Sequence, residues 1–181
     1  MEVTLGESFA RSARKYPNKV AVMDDEGRLT YGQLNRRVNR WAHARVGIGL
    51  GKGSKVATLS NNCTRLMEVF LGNLKTGIIT VPLNSRGTLD DIAFQVQRTQ
   101  AEAVVFEKSH AGVAEALYEK LPEVRRYVCL GEKGAAFALD YEELLRQSTE
   151  AEPDVPLVEE DEAVIMFTGG TTGTPKGAVL T

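Results

Sequence analysis

The chain has 181 residues, 43% of them hydrophobic, and its 24 acidic and 22 basic side chains leave a formal charge of −2. That length and apolar share suffice for one globular domain with a sizeable core. The balance leaves no basic surplus to neutralise a nucleic-acid backbone, which argues against DNA or RNA as the main ligand.

In chain order, Thr4-Leu5-Gly6-Glu7 has the spacing of a capping box. Leu5, Phe9, Ala13 and Tyr16 then recur at helical intervals until Pro17, so a first helix with that apolar face is expected. Lys19 to Met23, a turn over Asp24-Asp25-Glu26-Gly27 and a return over Arg28 to Thr30 read as a hairpin. Thr30 can cap the next helix, with Gln33 three residues on and an apolar face of Leu34, Val38, Trp41 and Ala42 for which core packing accounts. The glycine cluster from Gly47 to Gly53 follows a helix and precedes a strand, the reverse of what a dinucleotide fingerprint requires. It reads as a helix C-terminal turn.

From Lys55 the pattern becomes regular. Lys55 to Leu59, Ile78 to Val81, Ala103 to Phe106 and Tyr127 to Leu130 read as strands. Helical faces of Leu66, Val69, Phe70 and Leu74, of Leu89, Ile92, Ala93 and Val96, and of a segment around Val113 to Leu121 alternate with them. Such alternation implies parallel crossovers, hence an α/β fold with a mostly parallel sheet flanked by helices.

Between Glu150 and Glu162 lie seven carboxylates, two prolines and no lysine or arginine, which reads as an extended, solvated connector over 150–162 rather than a metal site. His43 and His110 have no partner at ligand spacing and read as surface or capping residues. Cys63 and Cys129 stand alone, without the spacing of a disulfide framework or zinc site, and read as buried inert thiols in a reducing cytoplasm. No apolar leader follows a basic segment and no run approaches the roughly 18 apolar residues of a membrane span, so a cytoplasmic protein, with peripheral membrane contact left open, is expected.

The stretch that carries chemistry is Phe167-Thr168-Gly169-Gly170-Thr171-Thr172-Gly173-Thr174-Pro175-Lys176-Gly177. Its glycines let backbone N–H groups approach an anion, its threonines add hydroxyl donors, and Lys176 adds positive charge. The common phosphate loop G-x-x-x-x-G-K-[ST] runs from strand into helix, whereas here Lys176 follows proline, precedes glycine and leads into the strand-like Ala178-Val179-Leu180. A strand-loop-strand hairpin with Pro175 stiffening its exit is the expectation. A conventional phosphate-loop NTPase and a binding module without chemistry stay open as alternatives.

This run resembles the signature of the adenylate-forming superfamily, Thr-Ser-Gly-Thr-Thr-Gly-x-Pro-Lys-Gly. Thr168, Gly170, Thr171, Thr172, Gly173, Pro175, Lys176 and Gly177 match it, and Gly169 stands where serine is usual. Upstream, Leu29 to Leu34 and Leu74 to Asn84 resemble two further core motifs, and Asn84 is more similar to acyl-CoA synthetases than to peptide-synthetase adenylation domains.

The resemblance implies a single domain over 1–181, the N-terminal part of the large ATP-binding domain of a longer ligase. That enzyme would join ATP and a carboxylic acid, a fatty acid by this likeness, into an acyl-adenylate and pass the acyl group to coenzyme A. Thr168, Gly169, Gly170, Thr171, Thr172, Gly173, Thr174 and Lys176 would hold the phosphates. The Mg2+ ligand, the catalytic lysine of the C-terminal lid domain and the acid pocket would lie outside these residues. The loop over 169–174 is expected to be mobile without nucleotide.

Overall fold

The computed structural model describes residues 4–131, 135–168 and 175–181. Helix α1 (Leu5–Lys15) opens the chain, followed by the antiparallel hairpin β1 (Val20–Asp24) and β2 (Gly27–Thr30) and helix α2 (Tyr31–Gly47). Then come β3 (Lys55–Leu59), α3 (Thr64–Leu74), β4 (Ile79–Pro82), α4 (Leu89–Thr99), β5 (Ala103–Glu107), α5 (Ala111–Lys120) and β6 (Arg126–Leu130). The short β7 (Leu139–Asp140), α6 (Tyr141–Arg146), β8 (Val164–Thr168) and β9 (Lys176–Leu180) complete it. The main sheet has the order β7-β6-β5-β3-β4-β8-β9, with every pair parallel except β8 and β9.

Side-chain alternation along the central strands divides the core between the two faces of this sheet. Val104, Phe106, Tyr127 and Cys129 pack with Ile92, Val96, Leu117 and Leu121 of the α4–α5 layer. Ala103, Val105, Val128 and Leu130 pack on the other face with Trp41, Val69, Tyr141 and Leu145 from α2, α3 and α6. The parallel α/β expectation is therefore met. No helix among the described residues is long and apolar enough to cross a membrane.

Capping follows the sequence where hydroxyl and amide residues fall in register. Thr30 accepts from the Gln33 N–H and Gln33 answers on the Thr30 N–H, so the box that opens α2 is complete. At α1 it is half a box: Thr4 accepts from the Glu7 N–H, while the Glu7 carboxylate turns to Arg11 at 2.6 Å. The expected apolar face of α1 holds at Ala13 and is corrected elsewhere. Leu5 and Tyr16 are exposed, and Gly6, Ala10 and Ala13 are buried. The helix approaches the end of α3 so closely that a Cβ on Gly6 would lie 2.9 Å from the Leu74 carbonyl oxygen, so only small residues fit that face. Past α2, Gly49 has φ +73°, a left-handed value that favours glycine, which bears out the turn reading of the cluster.

Polar groups inside the core were less visible in the sequence. Trp41 is fully buried, but packing is not its whole role: its Nε1–H donates to Asn73 Oδ1 at 3.0 Å, and Asn73 Nδ2 donates to Thr80 Oγ1 at 3.0 Å. Glu68, with a side chain 1% exposed, accepts from Arg37 Nε at 2.6 Å and from the Tyr141 hydroxyl at 2.9 Å. Arg37 and Arg65 converge in turn on Glu142, at 2.7 and 3.0 Å. Of the two thiols, Cys129 is buried as expected. Cys63 is only half-buried, because it sits at the N-cap of α3 with its Sγ 3.7 Å from Ser60 Oγ.

These contacts set an acid limit. Hydrogen bonds from Thr64 hold Asp24, from Thr88 hold Asp91 and from Lys52 hold Asp161 below the usual carboxylate range. Burial pushes Glu142 up, but bonds from Arg37 and Arg65 outweigh it and the net direction is down. A carboxyl whose pKa is lowered by folding adds stability that is present above its unfolded pKa and lost as pH falls through its folded one. Glu68 opposes them, since burial raises its pKa and the folded chain favours its protonated form. Glu152 is also held down, its burial outweighed by hydrogen bonds from Lys75, Asn35 and Asn39, so with five carboxyls against one the stability read from urea unfolding is expected to fall steadily as pH drops below about 4. Stability unchanged from pH 7 to pH 3 would contradict it.

Candidate functional site

The parallel strands β3, β4, β5, β6 and β8 end at one edge of the sheet, the edge at which open α/β sheets bind ligands. β8 delivers Thr168 there and β9 starts back from Lys176. Four apolar residues, Val164 to Phe167, followed by Thr168, make β8. Val164 and Ile165 are buried, and Phe167 packs half-buried against the α4–α5 side of the core. The return strand pairs with it over five positions, from Val164 opposite Leu180 to Thr168 opposite Lys176. All five residues of β9 are exposed.

Thr168 and Lys176 thus face each other across the mouth of a hairpin, and the Thr168 hydroxyl donates to the Lys176 carbonyl at 3.4 Å. Both side chains are open to solvent. Gly177 lies against Ile165, whose Cγ2 would be 3.0 Å from an added Cβ, so the strand behind Lys176 sits flat on β8. Of the eight residues expected to hold phosphate, Thr168 and Lys176 are placed together at this mouth. Gly169, Gly170, Thr171, Thr172, Gly173 and Thr174 lie outside the described residues, as does the expected mobility of that loop. Lys176 begins a strand antiparallel to β8, not a helix, which removes the phosphate-loop NTPase reading.

A fixed pair of strands presents the exposed Lys176 ammonium at one end of a glycine- and threonine-rich span, while the Thr168 hydroxyl at the other end is engaged with the Lys176 carbonyl. The mouth has no acid–base pair of its own. Among the described residues no group of three or more His, Cys, Asp and Glu side chains could hold a metal ion.

The segment that leads into the hairpin differs from expectation. The connector is extended, but it is not simply solvated. Glu150 pairs with Arg40 at 2.8 Å, Glu152 with Lys75 at 2.6 Å and Asp161 with Lys52 at 2.7 Å. A run that lacks its own cations has found them on α2, at the end of α3 and in the turn before β3. His43 belongs to the same contact, with its Nε2 2.9 Å from the Ala151 carbonyl oxygen, so it is a docking residue rather than a free surface one. His110 occupies the N-cap position of α5 without a side-chain capping bond, and Ser109 Oγ lies 3.0 Å from its Nδ1. The signal that could have found the docking was the row Asn35, Asn39 and His43 at four-residue spacing, one polar ridge along α2.

A family model described as AMP-binding enzyme matches residues 9–181. A fatty acid–[acyl-carrier-protein] ligase of Streptomyces coeruleorubidus is 32% identical over 177 residues, 98% of this chain and 33% of that protein. A long-chain-fatty-acid–CoA ligase of Mycobacterium tuberculosis is 32% identical over 155 residues, 85% of this chain and 30% of that protein. Among solved structures, the inhibitor-bound N-terminal domain of FACL13 from M. tuberculosis superimposes with a TM-score of 0.88 at 29% identity, covering 99% of this chain and 44% of that one. The anthranilate CoA ligase AuaEII with anthranoyl-AMP superimposes with a TM-score of 0.93 at 21% identity over 98% of this chain and 34% of that one, a likeness of fold alone. The chain spans about a third of the length of the curated relatives it matches.

Proposed function

The chain belongs to the AMP-binding enzyme family, and from that premise we propose that it supplies the triphosphate-holding hairpin of an ATP-dependent acid–thiol ligase. In the whole enzyme a carboxylate oxygen attacks the α-phosphorus of ATP, the bond to pyrophosphate breaks, and an acyl-adenylate forms. A thiol sulfur then attacks the acyl carbon and AMP leaves. The residues of this chain act in the first step. The amides and hydroxyls from Thr168 through Gly169, Gly170, Thr171, Thr172, Gly173 and Thr174, with the Lys176 ammonium, hold the β- and γ-phosphates. They stabilise the charge that builds on the departing pyrophosphate.

Residues 1–181 form part of the large ATP-binding domain, with the connector over 150–162 and the phosphate loop over 168–177. Magnesium shares the charge of a bound triphosphate. By the family likeness, the acidic ligand that would hold it belongs elsewhere in the full-length protein. The acid is a fatty acid or a related carboxylate, the thiol is that of coenzyme A, and the enzyme works in the cytoplasm. Likeness over 98% of the chain to a ligase whose acceptor is an acyl-carrier protein favours a second acceptor, a carrier-protein thiol.

The observation that carries this reading is the pairing of Thr168 with Lys176 at the ligand-binding edge of the sheet, framed by a sequence so close to the superfamily signature. The test is pyrophosphate exchange into ATP by the full-length protein across a panel of carboxylic acids. Exchange that depends on a fatty acid supports the reading, and no acid-dependent exchange with any member contradicts it. The isolated 181 residues are expected to give none, since a phosphate cradle alone positions neither the α-phosphorus nor the acid.

A further inference from the structure

We propose that Lys75 and Glu152 form a clasp that holds β8, and with it the phosphate hairpin, against the rest of the sheet. They are positioning residues for the site described above, and the inference rests on the reading of that site. β8 shares few ladder pairs with its inner neighbour. β3 and β4 pair over four residues and β5 and β6 over five, but β4 and β8 share the single pair Thr80 with Val164. The approach to β8 is no firmer by packing: no residue from 150 to 162 is buried, and none is in a helix or strand. Polar tethers hold this segment.

The central tether is Lys75. Its side chain is 3% exposed, and its ammonium donates to Asn35 Oδ1 at 2.7 Å, Asn39 Oδ1 at 2.8 Å and Glu152 Oε2 at 2.6 Å. Three donors have three acceptors. The second Glu152 oxygen accepts from Asn35 Nδ2 at 2.6 Å, which fixes the carboxylate on both sides. Lys75 caps the C-terminus of α3 and lies four residues before β4, so the clasp fastens the connector to the same segment that β8 must pair with. Flanking bonds act in line with it. Asn39 Nδ2 donates to the Glu150 carbonyl at 2.9 Å, and Lys52 Nζ donates to the Pro156 carbonyl at 3.0 Å. Two residues after Asp161, Ala163 enters the sheet by accepting from the Thr80 N–H at 2.9 Å.

Loss of Glu152 would leave a buried ammonium without its counter-charge, which favours release of the connector. A hairpin competent in only part of the population binds ATP more weakly by that fraction, with little effect on the chemical step once nucleotide is bound.

The test has two arms. In the 181-residue chain, amide hydrogen exchange is followed in Glu152→Ala, Glu152→Gln and Lys75→Met. Exchange over 149–163, 164–168 and 176–180 is expected to quicken by about tenfold in E152A and K75M and by less in E152Q, which keeps an acceptor for Lys75, while β3, β5 and β6 stay protected. In the full-length ligase, E152A is expected to raise KM for ATP by up to about twofold, the share of the population that tenfold more frequent opening releases, with kcat nearly unchanged. The proposal is overturned if the connector loosens and β8 and β9 do not, or if exchange rises evenly across the central strands. Lys176→Ala separates this outcome from failure of the site itself. If K176A impairs exchange of pyrophosphate while E152A changes neither protection nor KM, the clasp is wrong and the site stands. If K176A is without effect while E152A loosens the hairpin, the site is wrong and the tether alone remains.

Discussion

Lys176→Ala in the full-length ligase is expected to lower acid-dependent pyrophosphate exchange by about 100- to 1,000-fold, the usual loss when a preorganised group facing developing charge is removed. The fold is expected to survive it, because the Lys176 side chain is exposed and its backbone, not its ammonium, makes the ladder with Thr168. The chemistry gives the size. Breaking the bond between the α-phosphorus and pyrophosphate moves negative charge onto the leaving group, and an ammonium held there by a strand pair needs no reorganisation to meet it. If that charge is met chiefly in the transition state, kcat and kcat/KM fall together; a change confined to KM would mean that Lys176 only anchors bound nucleotide. Lys176→Arg keeps the charge but not its compact shape and is expected to fall between the two. Exchange within about twofold of the parent in K176A would remove the residue from the site.

The largest stability effect is expected on the opposite face of the sheet. Trp41→Ala deletes a fully buried indole and should cost about 4 kcal/mol in urea unfolding. The pocket is built tightly around the ring. Gly72 approaches so closely that a Cβ there would be 2.6 Å from the indole Cδ1, and Tyr141 packs with its ring centroid at 5.4 Å. Trp41→Phe separates the polar part of the effect from the packing. It keeps most of the apolar area but leaves Asn73 Oδ1 without the indole donor, for an expected loss of about 1–3 kcal/mol. A loss in W41F no greater than that of a surface substitution would mean that the Trp41–Asn73–Thr80 chain adds nothing to packing.

What could be read from the sequence was what local rules decide. The alternation from Lys55 to Leu130 gave the parallel sheet, because strands buried on both faces must be short, apolar and separated by amphipathic helices. The Thr30–Gln33 box and the turn after Gly47 followed from capping chemistry within a few residues. The hairpin was legible because Pro175 and the apolar run after Lys176 deny a helix there. Long-range polar contacts were not legible. Lys75 reads as an ordinary helix-end cation, and nothing nearby in sequence announces Glu152, 77 residues away. Glu68 and Glu142 likewise meet Arg37, and Tyr141 meets Glu68, only after the sheet has folded. The short β7 and α6 escaped notice because two residues of strand and six of helix carry too little periodicity. The one local sign was Asp140, whose side chain caps α6 by accepting from the Glu143 N–H.

The central claim is that the mouth between Thr168 and Lys176 is where phosphate is held. Its most direct test is titration of the isotopically labelled 181-residue chain with inorganic pyrophosphate, followed by amide chemical shifts. Perturbation centred on Thr168 and on Lys176 and Gly177, weakened in K176A, is the predicted result. Shifts centred on any other part of the chain, or the same shifts with Lys176 replaced by alanine, would contradict it.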